Sequence, residues 1–170
     1  MRILFVCTGN ICRSPTAERL AIAYGAQLDM PDLQIESAGV RAVVGHAIHP
    51  YAALVIEGLG ADPTNFSARQ LNPRIASGAD LILTMTQEHR DQVLERAPRA
   101  FRRTFTLTEA AQLARLPAAD SVADLADLRT MSGPKVTDIP DPINRDIGVF
   151  EDVGSLIADC IPPILRLCQR

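Results

Sequence analysis

Apolar and polar positions change along the chain in blocks. Within residues 2–6, Ile3-Leu4-Phe5-Val6 is a continuous apolar run closed by Gly9 and Asn10, the pattern of a short strand buried on both faces. Ser14-Pro15 then reads as a helix N-cap with proline at the first helical position, and Ala17, Leu20, Ala21 and Tyr24 recur at helical spacing as far as Gly25. The unit repeats: residues 33–37 predict a second strand, 50–59 a helix closed by Gly60, 81–86 a third strand and 88–96 another helix. Strands alternating with helices imply an α/β fold, a single domain with a central parallel sheet flanked by helices on both faces. Residues 110–135, rich in Ala, Asp, Pro and Leu, fit either an amphipathic helix over 119–128 or a mobile insert. In the last segment Val153, Leu156, Ile157, Cys160, Ile161, Ile164, Leu165 and Cys168 share one helical face, and Pro162-Pro163 is expected to kink or restart that helix.

Composition narrows this picture. At 170 residues with 47% hydrophobic positions, residues 1–170 form one domain with a real core and too much apolar surface for disorder. No apolar run approaches the ~18 residues of a membrane span. Asn10 and Arg13 interrupt the start before a signal-peptide core forms, so a cytoplasmic protein with no membrane partner is expected. Net charge is −3 and Lys135 is the sole lysine among 17 basic residues, which predicts no nucleic-acid partner and leaves each arginine to be argued singly. Cys7, Cys12, Cys160 and Cys168 are too few and too unevenly placed for a disulfide framework and are read as thiols. His46, His49 and His89 form no ligand set, so they are read as surface or loop residues and no metal or cofactor is expected.

The candidate chemistry lies between the first strand and the first helix, in Cys7-Thr8-Gly9-Asn10-Ile11-Cys12-Arg13-Ser14. A loop entering a helix N-terminus turns successive backbone N–H groups toward one cavity, and the helix dipole adds positive potential there. Thr8, Gly9, Asn10, Ile11, Cys12, Arg13 and Ser14 are therefore read as phosphate-binding. The same field favours a thiolate at Cys7, the candidate nucleophile. Arg13 supplies a planar fork of donors for phosphoryl oxygens, and the Ser14 hydroxyl can donate to the thiolate. No G-K-[ST] follows, which disfavours nucleotide hydrolysis. A phosphate ester attacked by a thiolate needs a proton on its leaving oxygen. Asp141, stiffened by Pro140 and Pro142, is the candidate acid, with Asp138 the runner-up.

With these residues in place, the chain resembles the low-molecular-weight protein tyrosine phosphatases. The likeness runs over nearly the whole length: the C-x5-R-S loop and S-P-x-A-E helix start from Cys7 to Glu18, then Ser37-Ala38-Gly39, Ala68-Arg69-Gln70, the run from Asp80 to Met85, and Asp141-Pro142. The resemblance implies hydrolysis of phosphotyrosine or another aryl phosphate monoester on a phosphorylated protein, through a cysteinyl-phosphate. In it Cys7 is the nucleophile, Arg13 the phosphate binder, Ser14 the thiolate partner and Asp141 the general acid. Asn10 would hold the loop's shape, and Cys12 would be a redox partner that forms a reversible disulfide with Cys7.

Three departures bear on the substrate side. Ile143-Asn144 and Arg41-Ala42-Val43-Val44 stand where the family usually carries aromatic residues, and Phe66 replaces a histidine that supports the loop asparagine. Tyr51 is a candidate for the missing aromatic wall. Alternatives on the same fold are a protein arginine phosphatase, which carries threonine where this loop has Ile11, and an arsenate reductase, which relays a disulfide through mid-chain cysteines. A non-catalytic phosphate-binding module is the remaining one.

Overall fold

The structure, a computed structural model, describes residues 1–133 and 137–169. Its elements run β1 (Arg2–Cys7), α1 (Arg13–Gln27), β2 (Gln34–Gly39), α2 (Pro50–Gly58), α3 (Pro73–Gly78), β3 (Leu81–Thr84), α4 (Gln87–Arg96), a 3-10 turn (Pro98–Arg103), β4 (Thr104–Thr106), α5 (Leu107–Ala114), α6 (Asp124–Ser132) and α7 (Ile147–Cys168). The four strands are parallel in the order β2-β1-β3-β4. β1 is central, and the order reverses between it and β3, so the loop leaving β1 opens at the position where α/β sheets hold their ligands.

Strand alternation divides the core between the two faces of the sheet. Ile3, Phe5 and Leu83 point to a cluster shared with Leu20 of α1, Leu113 of α5 and Ile157 and Ile161 of α7. Leu4, Val6 and Ile82 point to the other face, where Ala76 of α3 and Val93 of α4 cover them. A sheet buried on both sides explains why the strand of residues 2–6 reads as continuously apolar.

Several boundaries differ from those expected. α1 starts at Arg13 with Cys12 at its N-cap, so Ser14 lies inside the first turn and its hydroxyl serves the loop instead of capping the helix. β3 ends at Thr84 because Thr86 caps α4, taking the His89 amide on its side chain. α7 passes through Pro162 and Pro163 without restarting, since Ile157, Ile161 and Ile164 bury one continuous face. The stretch 110–135 holds the end of α5 and all of α6, whose helix begins at Asp124 rather than at 119. Residues 134 and 135 of that stretch, including the lysine, lie outside the described residues. The Arg129 guanidinium holds α6 in place through Glu109 at 2.8 Å and the Phe105 ring at 3.9 Å.

Candidate active site

β1 delivers Cys7 to the carboxyl edge of the sheet, and the chain then turns through five residues into α1. The turn needs a left-handed residue at Asn10, whose φ of 56° is tolerated by asparagine better than by most side chains. It also needs room. Gly39 at the end of β2 lies so close to the Thr8 carbonyl and Ala42 that a Cβ there would clash.

Asn10 is fully buried and uses its whole side chain. Its Nδ2 donates to Ser14 Oγ at 2.9 Å and Ser37 Oγ at 2.8 Å, while its Oδ1 accepts from the Arg69 amide at 2.9 Å. Ser37 in turn donates to Glu18 Oε2 at 2.5 Å. Burial raises the Glu18 carboxyl above its ordinary value, the Ser37 bond opposing the shift. This polar core takes the place of histidine support: Phe66, half-buried, packs under Arg19 instead of meeting Asn10.

Around the cysteine, Sγ lies 3.0 Å from Ser14 Oγ and accepts from the Asn10 amide at 3.3 Å. Among the described residues no protein group accepts from the amides of Gly9, Ile11 and Cys12. The first turn of α1 likewise lacks a side-chain cap, whereas α3, α4, α5 and α7 are capped by Asn72, Thr86, Thr106 and Asp146. Loop and helix start thus leave N–H donors without a protein acceptor at the positive end of the α1 dipole, the local chemistry of an anion cradle.

Arg13 is 5% exposed at one wall of that cradle. Its Nη1 donates to the Ile139 carbonyl at 3.0 Å, and its Nη2 pairs with Asp141 Oδ2 at 2.9 Å. The two candidate acids separate here. Asp138 is spent on the Gln87 amide at the start of α4, at 2.9 Å, and so anchors the segment. Asp141, 51% exposed, stands at the mouth, facing Arg13. The structure therefore brings Cys7, Arg13, Ser14 and Asp141 together.

Of the other cysteines, Cys12 ends the loop itself, whereas Cys160 and Cys168 belong to α7. Cys12 is buried among Ile48, Ala52 and Phe150, and burial, with the Cys7 and Asp141 charges beside it, pushes its thiol up to about 12. Cys160 and Cys168 are free thiols of α7 pushed up to about 11, again by burial. Cys168 sits beside Met1 and Leu33 at the amino ends of the strands, opposite the loop, which takes it out of any thiol relay with Cys7.

His89 corrects the expectation that every histidine is a surface or loop residue. It lies in α4, is 4% exposed, and places Nε2 2.8 Å from Thr8 Oγ1. No local pattern announces this, because the partners are 81 residues apart. His46 and His49 do lie in the loop before α2, and Tyr51 packs its edge on His49 and Phe150.

A profile of the family described as low molecular weight phosphotyrosine protein phosphatase matches residues 2–167. A relative from Acinetobacter johnsonii, the low molecular weight protein-tyrosine-phosphatase Ptp, is 32% identical over 159 residues, 94% of this chain and 92% of that protein. Among solved structures, the tyrosine phosphatase Wzb from Escherichia coli K30 in complex with sulphate superimposes with a TM-score of 0.72 at 29% identity, covering 94% of this chain and 92% of that one. The YwlE arginine phosphatase from Geobacillus stearothermophilus superimposes with a TM-score of 0.76 at 30% identity, covering 99% and 92%.

Proposed function

Because the chain belongs to the low molecular weight phosphotyrosine protein phosphatase family, we propose that it hydrolyses aryl phosphate monoesters, phosphotyrosine on proteins foremost, through a cysteinyl-phosphate. The observation that carries this reading is the Arg13–Asp141 pair, which sets a carboxyl at the mouth of the loop that begins at Cys7. The Cys7 thiolate, stabilised by the Ser14 hydroxyl and the Asn10 amide, attacks phosphorus in line with the leaving oxygen. Arg13 and the loop amides hold the three non-bridging oxygens as charge shifts onto them. Asp141 gives its proton to the departing phenol oxygen, then as carboxylate takes a proton from the water that cleaves the phosphorus–sulfur bond, releasing inorganic phosphate and restoring the thiolate.

Two finer assignments follow. Ile11, half-buried in the loop, presents an apolar side chain that favours an aryl ester over a guanidino phosphate, although an arginine phosphatase shares the fold. Cys12 is the redox partner: its thiol captures a Cys7 sulfenic acid, forming a disulfide with loss of water and sparing Cys7 from further oxidation. Cys12→Ser is then expected to leave peroxide-treated Cys7 in sulfinic or sulfonic form, read by mass spectrometry.

The deciding experiment is steady-state hydrolysis of p-nitrophenyl phosphate in EDTA by the native protein and Cys7→Ser. Turnover that disappears in the variant is expected. Turnover that survives would overturn the cysteine mechanism, and a phosphotyrosyl peptide left intact beside a hydrolysed phosphoarginyl one would reassign the substrate.

A further inference from the structure

His89 occupies an unusual position for a residue outside the loop. Its backbone N–H donates to the Thr86 hydroxyl at 3.1 Å, which ties it to the cap of α4. From there its Nε2 meets Thr8 Oγ1 at 2.8 Å, on the residue directly after Cys7. Its other ring nitrogen, Nδ1, is buried without a partner. An unsatisfied buried polar atom costs stability, so the bond to Thr8 is the side-chain hydrogen bond that anchors this ring.

The imidazole is also held neutral. Burial depresses it to about 4, and the Arg13 and Arg41 cations push the same way against the opposing Asp141 and Asp138 carboxylates. A neutral ring bonds the threonine hydroxyl as donor or as acceptor, whichever tautomer is present, and adds no second cation beside Arg13. The Thr8 carbonyl meanwhile accepts from the Arg41 amide at 3.0 Å. Thr8 is therefore tethered twice, by its side chain to α4 and by its main chain to the segment after β2.

The geometry points to His89 as a positioning residue that, through Thr8, fixes the first peptides of the phosphate loop beside Cys7 and Arg13. This rests on the reading that the loop receives a phosphoryl group. His89 touches no reacting atom; it sets the direction of the donors that do.

The test uses the spacing of the ring nitrogens. A glutamine amide reaches the place of Nε2, whereas an asparagine amide stops at the level of Nδ1. In His89→Asn, kcat/KM for p-nitrophenyl phosphate should fall about tenfold and inorganic phosphate should inhibit about tenfold more weakly, the size usual when a supporting hydrogen bond behind a site is lost. His89→Gln should recover most of both. Thr8→Val should show the same losses alone, and adding His89→Asn to it should cost little more. Equal damage from Asn and Gln, or the same Asn factor in both backgrounds, would overturn the proposal. An unaltered Thr8→Val overturns it even if His89→Asn does not fold. A native protein without turnover would instead remove the phosphatase reading itself.

Discussion

The loop from Cys7 to Ser14 is held differently on its two sides. On the inner side, toward α1 and β2, Asn10, Ser14, Ser37 and Glu18 form a buried chain in which every asparagine donor and acceptor is used. On the outer side, toward α4 and the 137–142 segment, His89 keeps an unpaired nitrogen and Asp141 stands half in water. A satisfied polar network rigidifies, while partly paired and exposed groups can change partners at small cost. The inner side therefore keeps the shape of the cradle, while on the outer side buried His89 tethers Thr8 and the exposed Asp141 is free to change partners, as the proposed proton transfer requires.

The largest effect should come from the outer side. Asp141→Asn is expected to lower turnover of phenyl phosphate by roughly 10²-fold or more, and of p-nitrophenyl phosphate by much less, because only the poorer leaving group needs the proton. Equal losses for the two esters would dissolve the contrast. Next comes the inner side: Asn10→Ala strands buried partners on Ser37 and the Arg69 amide and should cost about 2–4 kcal/mol of unfolding free energy, by urea denaturation, together with activity. A variant that loses activity at unchanged stability would mean the network orients the loop without bracing it.

The smallest effects concern pH, and the two sides should respond with opposite sign. Glu18, raised above its ordinary 4.5, holds its proton in the folded chain where the unfolded chain has released it. Its contribution is complete below 4.5 and is lost as pH climbs through the raised value. His89, lowered from 6.5 to about 4, contributes fully above 6.5 and loses that contribution as pH falls toward about 4. Neither slope can exceed ~1.4 kcal/mol per pH unit. Urea denaturation across pH 4–7 should show Glu18→Gln removing the decline on the alkaline side and His89→Gln the decline on the acid side; parallel curves for both variants would erase the asymmetry.

How far the sequence could be read follows the same division. β1, the loop and the presence of α1 were legible because their signals are local, an apolar run, a cysteine and arginine at fixed spacing, and a helix entry, although the cap falls at Cys12 and not at Ser14. β4 was not, since three residues beginning and ending in threonine carry no apolar run, and it is a strand only because β3 supplies its partners. α3 was not read from the sequence either: six residues are too few for a helical period, and its Asn72 cap shows itself only in the structure. The sequence named Asp141 and Asp138 but ranked them only by neighbouring prolines; what separates them is that the Gln87 amide takes one and Arg13 the other. The contacts of His89 and of the Arg69 amide were not legible, because their partners in the loop lie 81 and 59 residues away and no periodicity encodes such a pairing.

Those distant partners set the order in which the molecule can become competent. Eight residues that begin near the amino terminus draw on Ser37, Arg69, His89, Ile139 and Asp141, spread across more than half of the chain. Contacts of such sequence separation pay their loop-closure entropy late, so the cradle is a product of nearly complete folding rather than a nucleus for it. A chain interrupted before residue 137 can carry the cysteine and the whole of its loop, yet it lacks both Ile139 and Asp141, the partners of the arginine.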